Sequence, residues 1–254
     1  MTRIILYNTQ YCTGLNGKKW KYFLLWKRFF GTKTNLINIC KKISEYKPDI
    51  FLAIEIQKKG FFSNQSYITL IKKQLKMKSC VAEVKYNFQG RSKMLKIVPW
   101  AKYQLQTIFS NQKINKIKKI YFKSGFKKLL LKVTITAPKK FTIILMHLSL
   151  RKIPRQNQIK ELIKIINNSK NPLILAGDFN TSKKEEINQI LNQTKLILPY
   201  NPKTKKEYFT FPSYSPKKEM DRILVTPEII IKKYYPLKLK LSDHLPILMD
   251  FKIK

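Results

Sequence analysis

The sequence predicts one mixed α/β domain spanning residues 1–254. Its 254 residues, 44% of them hydrophobic, are enough to fill one large core. Short apolar, β-rich runs alternate with segments at helical spacing. No Gly/Ser-rich linker or shift in composition divides the chain, and no repeat of about 20–50 residues is present.

The elements follow in order. Arg3–Asn8 reads as an opening buried strand. Lys18–Phe30 interleaves aromatic and basic residues and reads as an amphipathic helix. Thr34 is a candidate N-cap for a helix to Glu45, which Pro48 stops. Asp49–Ile54 is a second buried strand, ending at Glu55. Asn64–Lys78 reads as a helix, Val81–Tyr86 as a strand and Gly90–Pro99 as a loop. Gln104–Ser110, Ile117–Phe122, Leu129–Thr136 and Phe141–His147 are four strands with no helix between them, which suggests an antiparallel run. Pro154 precedes a helix to Asn167. Pro172–Ala176 is a strand closed by Gly177, and Ser182 is placed to cap a helix through Gln193. After a Pro-, Tyr- and Lys-rich loop, Asp221–Val225, Ile230–Tyr234 and Ile247–Ile253 are the last strands.

Charge narrows the partners. Lys and Arg number 52 against 14 acids, a net +38. Such a chain repels itself unless a polyanion is near, and nucleic acid is the first candidate. An anionic membrane surface is the second. AT-rich coding accounts for abundant Lys but not for scarce Asp and Glu. Cys12, Cys40 and Cys80 are widely spaced and read as reduced thiols. No signal-peptide core is visible at the N-terminus, and no stretch approaches the ~20 apolar residues of a membrane span. A soluble, cytoplasmic, monomeric protein is expected.

The chemistry is carried by rare residues. The only histidines are His147, ending the run TIILMH, and His244, in SDHLP. Glu55, Asp178, Asp221 and Asp243 also stand at the ends of apolar runs. Strand ends are where sheets present functional groups to clefts. Singly, each has an ordinary explanation: a solvated Glu, a structural His, a GDFN turn, an SDH cap. Their joint occurrence and order carry the functional reading.

That order resembles the endonuclease/exonuclease/phosphatase superfamily. The matching blocks are Ile4–Asn8 (IILYN), Pro48–Gln57 (PDIFLAIEIQ), His147–Ser149 (HLS), Gly177–Asn180 (GDFN), Asp221–Val225 (DRILV) and Ser242–Pro246 (SDHLP). The resemblance implies a four-layer α/β/β/α sandwich, with two mixed β-sheets packed face to face and helices outside. It implies Mg²⁺- or Mn²⁺-dependent phosphoester hydrolysis, the cation neutralising the phosphate. Glu55 would be the main metal ligand, with Asn8 and Asp243 beside it. Asp178 would orient or deprotonate water, Asn180 would hold a phosphate oxygen, and His147 would donate to the developing charge. His244 would touch the scissile phosphate or move a proton, with Asp221 fixing its tautomer. Asp178 and His244 both stand as candidate bases.

Gln106 and Arg222 are further candidate phosphate contacts. Gln106 departs from the family's usual Asn, Leu105 from its Gly and Asn111 from its Arg, and Gln10 lies where some members carry an acid. Charge favours a nuclease. The alternative is a phosphatase or phosphodiesterase acting on inositol-phosphate or phospholipid headgroups at an anionic membrane. An inactive nucleic-acid-binding module is a third reading.

Overall fold

The computed structural model describes residues 1–17, 31–60, 65–86, 103–126, 129–136, 138–200 and 208–254. The Lys18–Phe30 and Gly90–Pro99 segments lie outside the described residues. The strands are β1 (Thr2–Asn8), β2 (Ile50–Gln57), β3 (Ser79–Val84), β4 (Gln104–Ser110), β5 (Ile114–Tyr121), β6 (Leu129–Ile135), β7 (Phe141–His147), β8 (Leu173–Asp178), β9 (Asp221–Val225), β10 (Ile229–Pro236) and β11 (Ile247–Ile253). The helices are α1 (Thr32–Ser44), α2 (Tyr67–Gln74), α3 (Lys152–Asn167) and α4 (Lys184–Gln193).

Two mixed sheets result, ordered β10-β11-β1-β2-β4-β3 and β5-β6-β7-β8-β9. β1 and β2 run parallel, as do β7 and β8, and the other neighbours are antiparallel. Three apolar clusters define the layers. Ile4, Leu6, Leu52 and Ile54 of the first sheet meet Leu131, Val133, Ile143 and Leu145 of the second. On the first sheet's other face, Ile5, Phe51 and Ala53 pack against Leu36, Ile39 and Ile43 of α1 and Ile71 of α2. On the second sheet's other face, Ile144, Met146 and Leu175 pack against Ile159 and Leu162 of α3 and Ile187 and Ile190 of α4. The architecture is the expected α/β/β/α sandwich. Central strands covered on both faces must be apolar at every position, so runs such as IFLAI and TIILM lack alternation. Each Leu or Ile so buried contributes about 1.5–3 kcal/mol.

Several elements differ from the sequence reading. The run of strands β4 to β7 is not one antiparallel set: β4 closes the first sheet against β2 and β3, and β5 opens the second. The intervening turn is held elsewhere, with Asn111 N–H donating to Asp49 O and Asn111 Oδ1 accepting from Lys78 N–H. Thr34 is not the cap of α1. Gly31, at φ 74°, occupies that position, and the Thr32 hydroxyl shares a 2.6 Å hydrogen bond with Tyr67 OH. α2 is shorter than predicted: Ser66 caps it, accepting from Thr69 N–H, and Lys76 at φ 53° follows its end. Lys183, not Ser182, is the N-cap residue of α4, whose first turn carries Glu185 and Glu186 at the positive end of the dipole. Pro154 lies inside the first turn of α3, where a missing N–H costs no helical bond.

Candidate active site

Both parallel strand pairs end at the same rim. In the first sheet Asn8 at the end of β1 registers with Ile54 of β2, and in the second His147 registers with Asp178, and Asp178 with Asp221. The crevice outside the carboxyl ends of parallel strands is the usual place for a ligand. Two local features aim the side chains. The β2–β4 register shifts between Ala53 and Ile56, with Glu55 at φ 55°. Without that bulge Ile56 would share the inner face with Ile54; instead it packs outward against the helices. Gly177 lets β7 and β8 approach: a Cβ there would meet Met146 O at 2.0 Å.

Asp178 lies at the junction of the two sheets. Its Oδ2 accepts from Asn8 Nδ2 at 3.1 Å and lies 3.3 Å from His147 Nε2, while its Oδ1 accepts from Asn180 N–H at 2.8 Å. His147 Nδ1 in turn lies 3.8 Å from Glu55 Oε1. Glu55 Oε1 accepts from Tyr11 OH at 2.7 Å and from the buried Lys85 ammonium at 3.0 Å, and Lys85 also donates to Tyr11 OH. His244 Nδ1 is 2.6 Å from Asp221 Oδ2, and its Nε2 is 4.0 Å from both Asp178 Oδ2 and Asp243 Oδ1. Phe211 packs on the His244 ring at 5.0 Å between centroids. Burial pulls the His244 imidazole down, but the charges of Asp221 and Asp243, the bond to Asp221 and the charge of Asp178 push it up to about 10.

Four of the chain's 14 acids, Glu55, Asp178, Asp221 and Asp243, thus lie in one buried site of a strongly basic protein. Hard oxygen donors at this density fit a divalent cation. Asp178, Asp221 and His244 each offer a ligand atom, all within 4.8 Å of one another. His244 Nδ1 is already committed to Asp221, so that trio is a proton-bearing relay more than an open cage. Glu55 and Asp243 are carboxylates at the edge of this relay.

The structure brings together Asn8, Glu55, His147, Asp178, Asn180, Asp221, Asp243 and His244. Asn8 serves as a brace: its Oδ1 accepts from Gln10 N–H and its backbone O from Ser242 Oγ. Asn180, at φ 51°, donates through Nδ2 to Leu148 O. Two candidates are turned elsewhere. The buried Arg222 guanidinium donates to Thr181 O at 2.8 Å and pairs with Glu219 at 3.2 Å, so it pins the loop after β8 instead of facing a phosphate. Gln106 is fully buried between the sheets, its Nε2 donating to Leu129 O. Sequence reasoning missed Tyr11, Lys85, Phe211 and Thr210, whose hydroxyl accepts from Asp221 N–H. Ser242, inside the SDHLP block, carried a signal; the others did not.

A four-layer sandwich with carboxylates and imidazoles at this rim defines a phosphoesterase-type hydrolase site. The chain belongs to the Endonuclease/Exonuclease/phosphatase family, whose sequence profile matches residues 28–244. Solved structures share the fold at low identity. The endonuclease/exonuclease/phosphatase from Beutenbergia cavernae superposes with a TM-score of 0.73 at 14% identity, over 99% of this chain and 71% of that one. The mannosyl-6-phosphatase of Bacteroides thetaiotaomicron gives 0.71 at 15%, over 100% of both. TDP2 of D. rerio, complexed with a single-strand DNA product, gives 0.70 at 17%, over 99% of this chain and 98% of that one. No curated protein sequence matches the chain. Among the described residues no helix is long and apolar enough to cross a membrane.

Proposed function

We propose that this protein is a Mg²⁺- or Mn²⁺-dependent nuclease that hydrolyses nucleic-acid phosphodiesters. The observation that carries the hydrolytic reading is the buried cluster in which Asp178 links Asn8 of one sheet to His147 of the other, with the Asp221–His244 pair beside it. The net charge of +38 supports a phosphodiester chain as substrate.

In this reading Glu55 and Asp243, with Asn8 beside them, would hold the metal. The bound cation would supply charge neutralisation at the phosphate and at the leaving oxygen. Asp178 orients the attacking water and takes up its proton. Asn8 and the Asn180 N–H fix the two carboxylate oxygens for that task. His244, with three carboxylates around it, is held as an imidazolium and directs Nε2 toward the phosphate as a donor. Asp221 keeps that orientation through Nδ1. His147 adds a donor to the developing oxyanion.

A panel of plasmid DNA, abasic duplex, RNA, inositol phosphates, mannose 6-phosphate and anionic vesicles, each with Mg²⁺, Mn²⁺ or EDTA, tests this. Metal-dependent cleavage of a nucleic acid is expected. Turnover of a small phosphate ester with inert nucleic acid replaces the nuclease reading with the phosphatase one, which the likeness to a mannosyl-6-phosphatase fold favours. No hydrolysis of any substrate removes the enzymatic reading.

A further inference from the structure

A cavity of about 310 Å³ lies on the outer face of the second sheet, at the C-terminal end of α3 and away from the hydrolytic rim. Four lysines line it: Lys116 and Lys118 of β5, Lys132 of β6, and Lys170 beyond α3. The other lining residues are Thr, Ser and Asn, so no carboxylate and no apolar side chain contributes. Register explains the cluster. Lys118 stands directly opposite Lys132, Lys116 opposite Thr134, and Thr134 opposite Thr142, so all project from one face. Like charges directly opposite each other on adjacent strands destabilise a sheet. Among the described residues none of the four lysines meets a carboxylate.

Two ordinary explanations cover part of this. Lysines on β5 protect an edge strand from pairing, and Lys170 complements the negative end of the α3 dipole. Neither covers Lys132. It lies on an interior strand, is partly buried, and is fixed by donating to Ser169 Oγ at 2.5 Å, itself bonded to Ile165 O. Burial first, and then the charge of Lys118, lowers its pKa. A sheet that keeps two facing ammoniums without an acid stores repulsion that an anion in the cavity would relieve.

We propose that this cavity is a second phosphate-binding site, which holds a backbone phosphate of a nucleic-acid chain apart from the hydrolytic centre. Hydroxyl, amide and ammonium donors match the two non-bridging oxygens of a backbone phosphate. No aliphatic or aromatic residue lines the cavity, which argues against lipid, whose recognition needs side chains that enter the acyl boundary. Thr142 and His147 stand five residues apart on β7, so at about 3.3 Å per residue the site lies roughly 17 Å from the rim along that strand. The site's chemistry stands by itself, and the choice of nucleic acid as the polyanion rests on the nuclease reading.

The test is a pair of charge-matched double variants of the full chain, Lys118→Gln/Lys132→Gln and Lys72→Gln/Lys73→Gln, the second on α2. Binding of a fluorescein-labelled single-stranded oligonucleotide is measured by anisotropy in EDTA across a salt series. The cavity variant is expected to bind about tenfold more weakly, with its log–log salt slope reduced by ~0.7 per lost phosphate contact, while the α2 variant changes little. Metal-dependent hydrolysis of bis-p-nitrophenyl phosphate, a substrate too small to reach the cavity, is expected to be unchanged. Its melting temperature should hold or rise as the repulsion is removed. Equal losses in both variants would show that only overall charge matters and would overturn the site. So would a loss of binding to phosphatidylserine vesicles with oligonucleotide binding intact. Lys118→Gln alone, at an exposed position, gives the same readout if the double variant folds poorly. Failure of nucleic-acid hydrolysis with the cavity effect intact would remove the nuclease reading and leave the binding site.

Discussion

Asp178 meets Asn8 from the first sheet, His147 from the second and the Asn180 N–H from the loop after β8, so both carboxylate oxygens are held. Asp178→Asn keeps the shape and removes the charge that orients and deprotonates water. It is expected to lower kcat by about 10²–10⁴ with little change in oligonucleotide affinity measured in EDTA. A variant with normal turnover would remove Asp178 from the reaction. Lys85 bears on the same cluster. Its ammonium occupies the Glu55 carboxylate from a fully buried position. Breaking one side of a buried pair costs about 3–5 kcal/mol, so Lys85→Met should melt well below the wild type without metal. Mn²⁺ should then stabilise Lys85→Met more than it stabilises the wild type, because the cation no longer shares Glu55 with a lysine. Equal Mn²⁺-induced shifts in melting temperature would show that the two do not compete.

Elements carry the site through braces that lie behind it. Arg155 of α3 forms a bidentate pair with Glu186 of α4, at 2.8 and 3.1 Å, and also donates to Ser149 O and Leu150 O in the loop after His147. Burial raises the Glu186 pKa, but bonds from Arg155 and Thr181 and the charge of Arg155 outweigh it and hold the group below the ordinary glutamate value. A depressed folded-state pKa contributes stability above the unfolded value, near 4.3, that is lost as pH falls through the lower folded one. Glu186→Gln should therefore be clearly less stable in urea at neutral pH, and its deficit should shrink below about pH 4. A deficit independent of pH would mean that packing, not the ionised carboxylate, holds α3 to α4. Gln104–Ser110, Phe141–His147, Asp221–Val225 and Ile247–Ile253 were readable to the residue, because apolar runs there stop at polar ends. Helix starts were not, because Gly31 and Lys183 make no side-chain cap bond that a motif would betray. Arg222 misled because it adjoins Asp221. Strand neighbours point to opposite faces, and Arg222 shares its side with Leu224 against the helices while Asp221 shares its own with Ile223 in the inter-sheet core. Lys85 and Tyr11 had no signal, being one of 52 basic residues and one of 13 tyrosines brought to Glu55 only by the fold.

Across the whole molecule, eight of the 14 acids are already spent on specific tasks. Four sit in the hydrolytic site, and Asp250, Glu83, Glu186 and Glu219 are paired with Arg3, Lys119, Arg155 and Arg222. A surface at +38 therefore keeps a large unneutralised excess, and its self-repulsion opposes the compact state. Salt screens that repulsion: the screening length falls from about 10 Å at about 0.1 M to about 3 Å at about 1 M. The buried pairs that hold the sheets and helices together are screened much less. Added NaCl should therefore raise the melting temperature over this range, the reverse of what surface salt bridges would give. The same series should weaken oligonucleotide binding linearly on a log–log plot. A sub-stoichiometric polyanion such as heparin should raise the melting temperature at low salt and lose that effect at high salt. These outcomes are linked, because one excess of positive charge both destabilises the free protein and draws the polyanion. If salt left the melting temperature unchanged while oligonucleotide binding still fell, the basic residues would act locally along a binding track instead of through the field of the whole molecule.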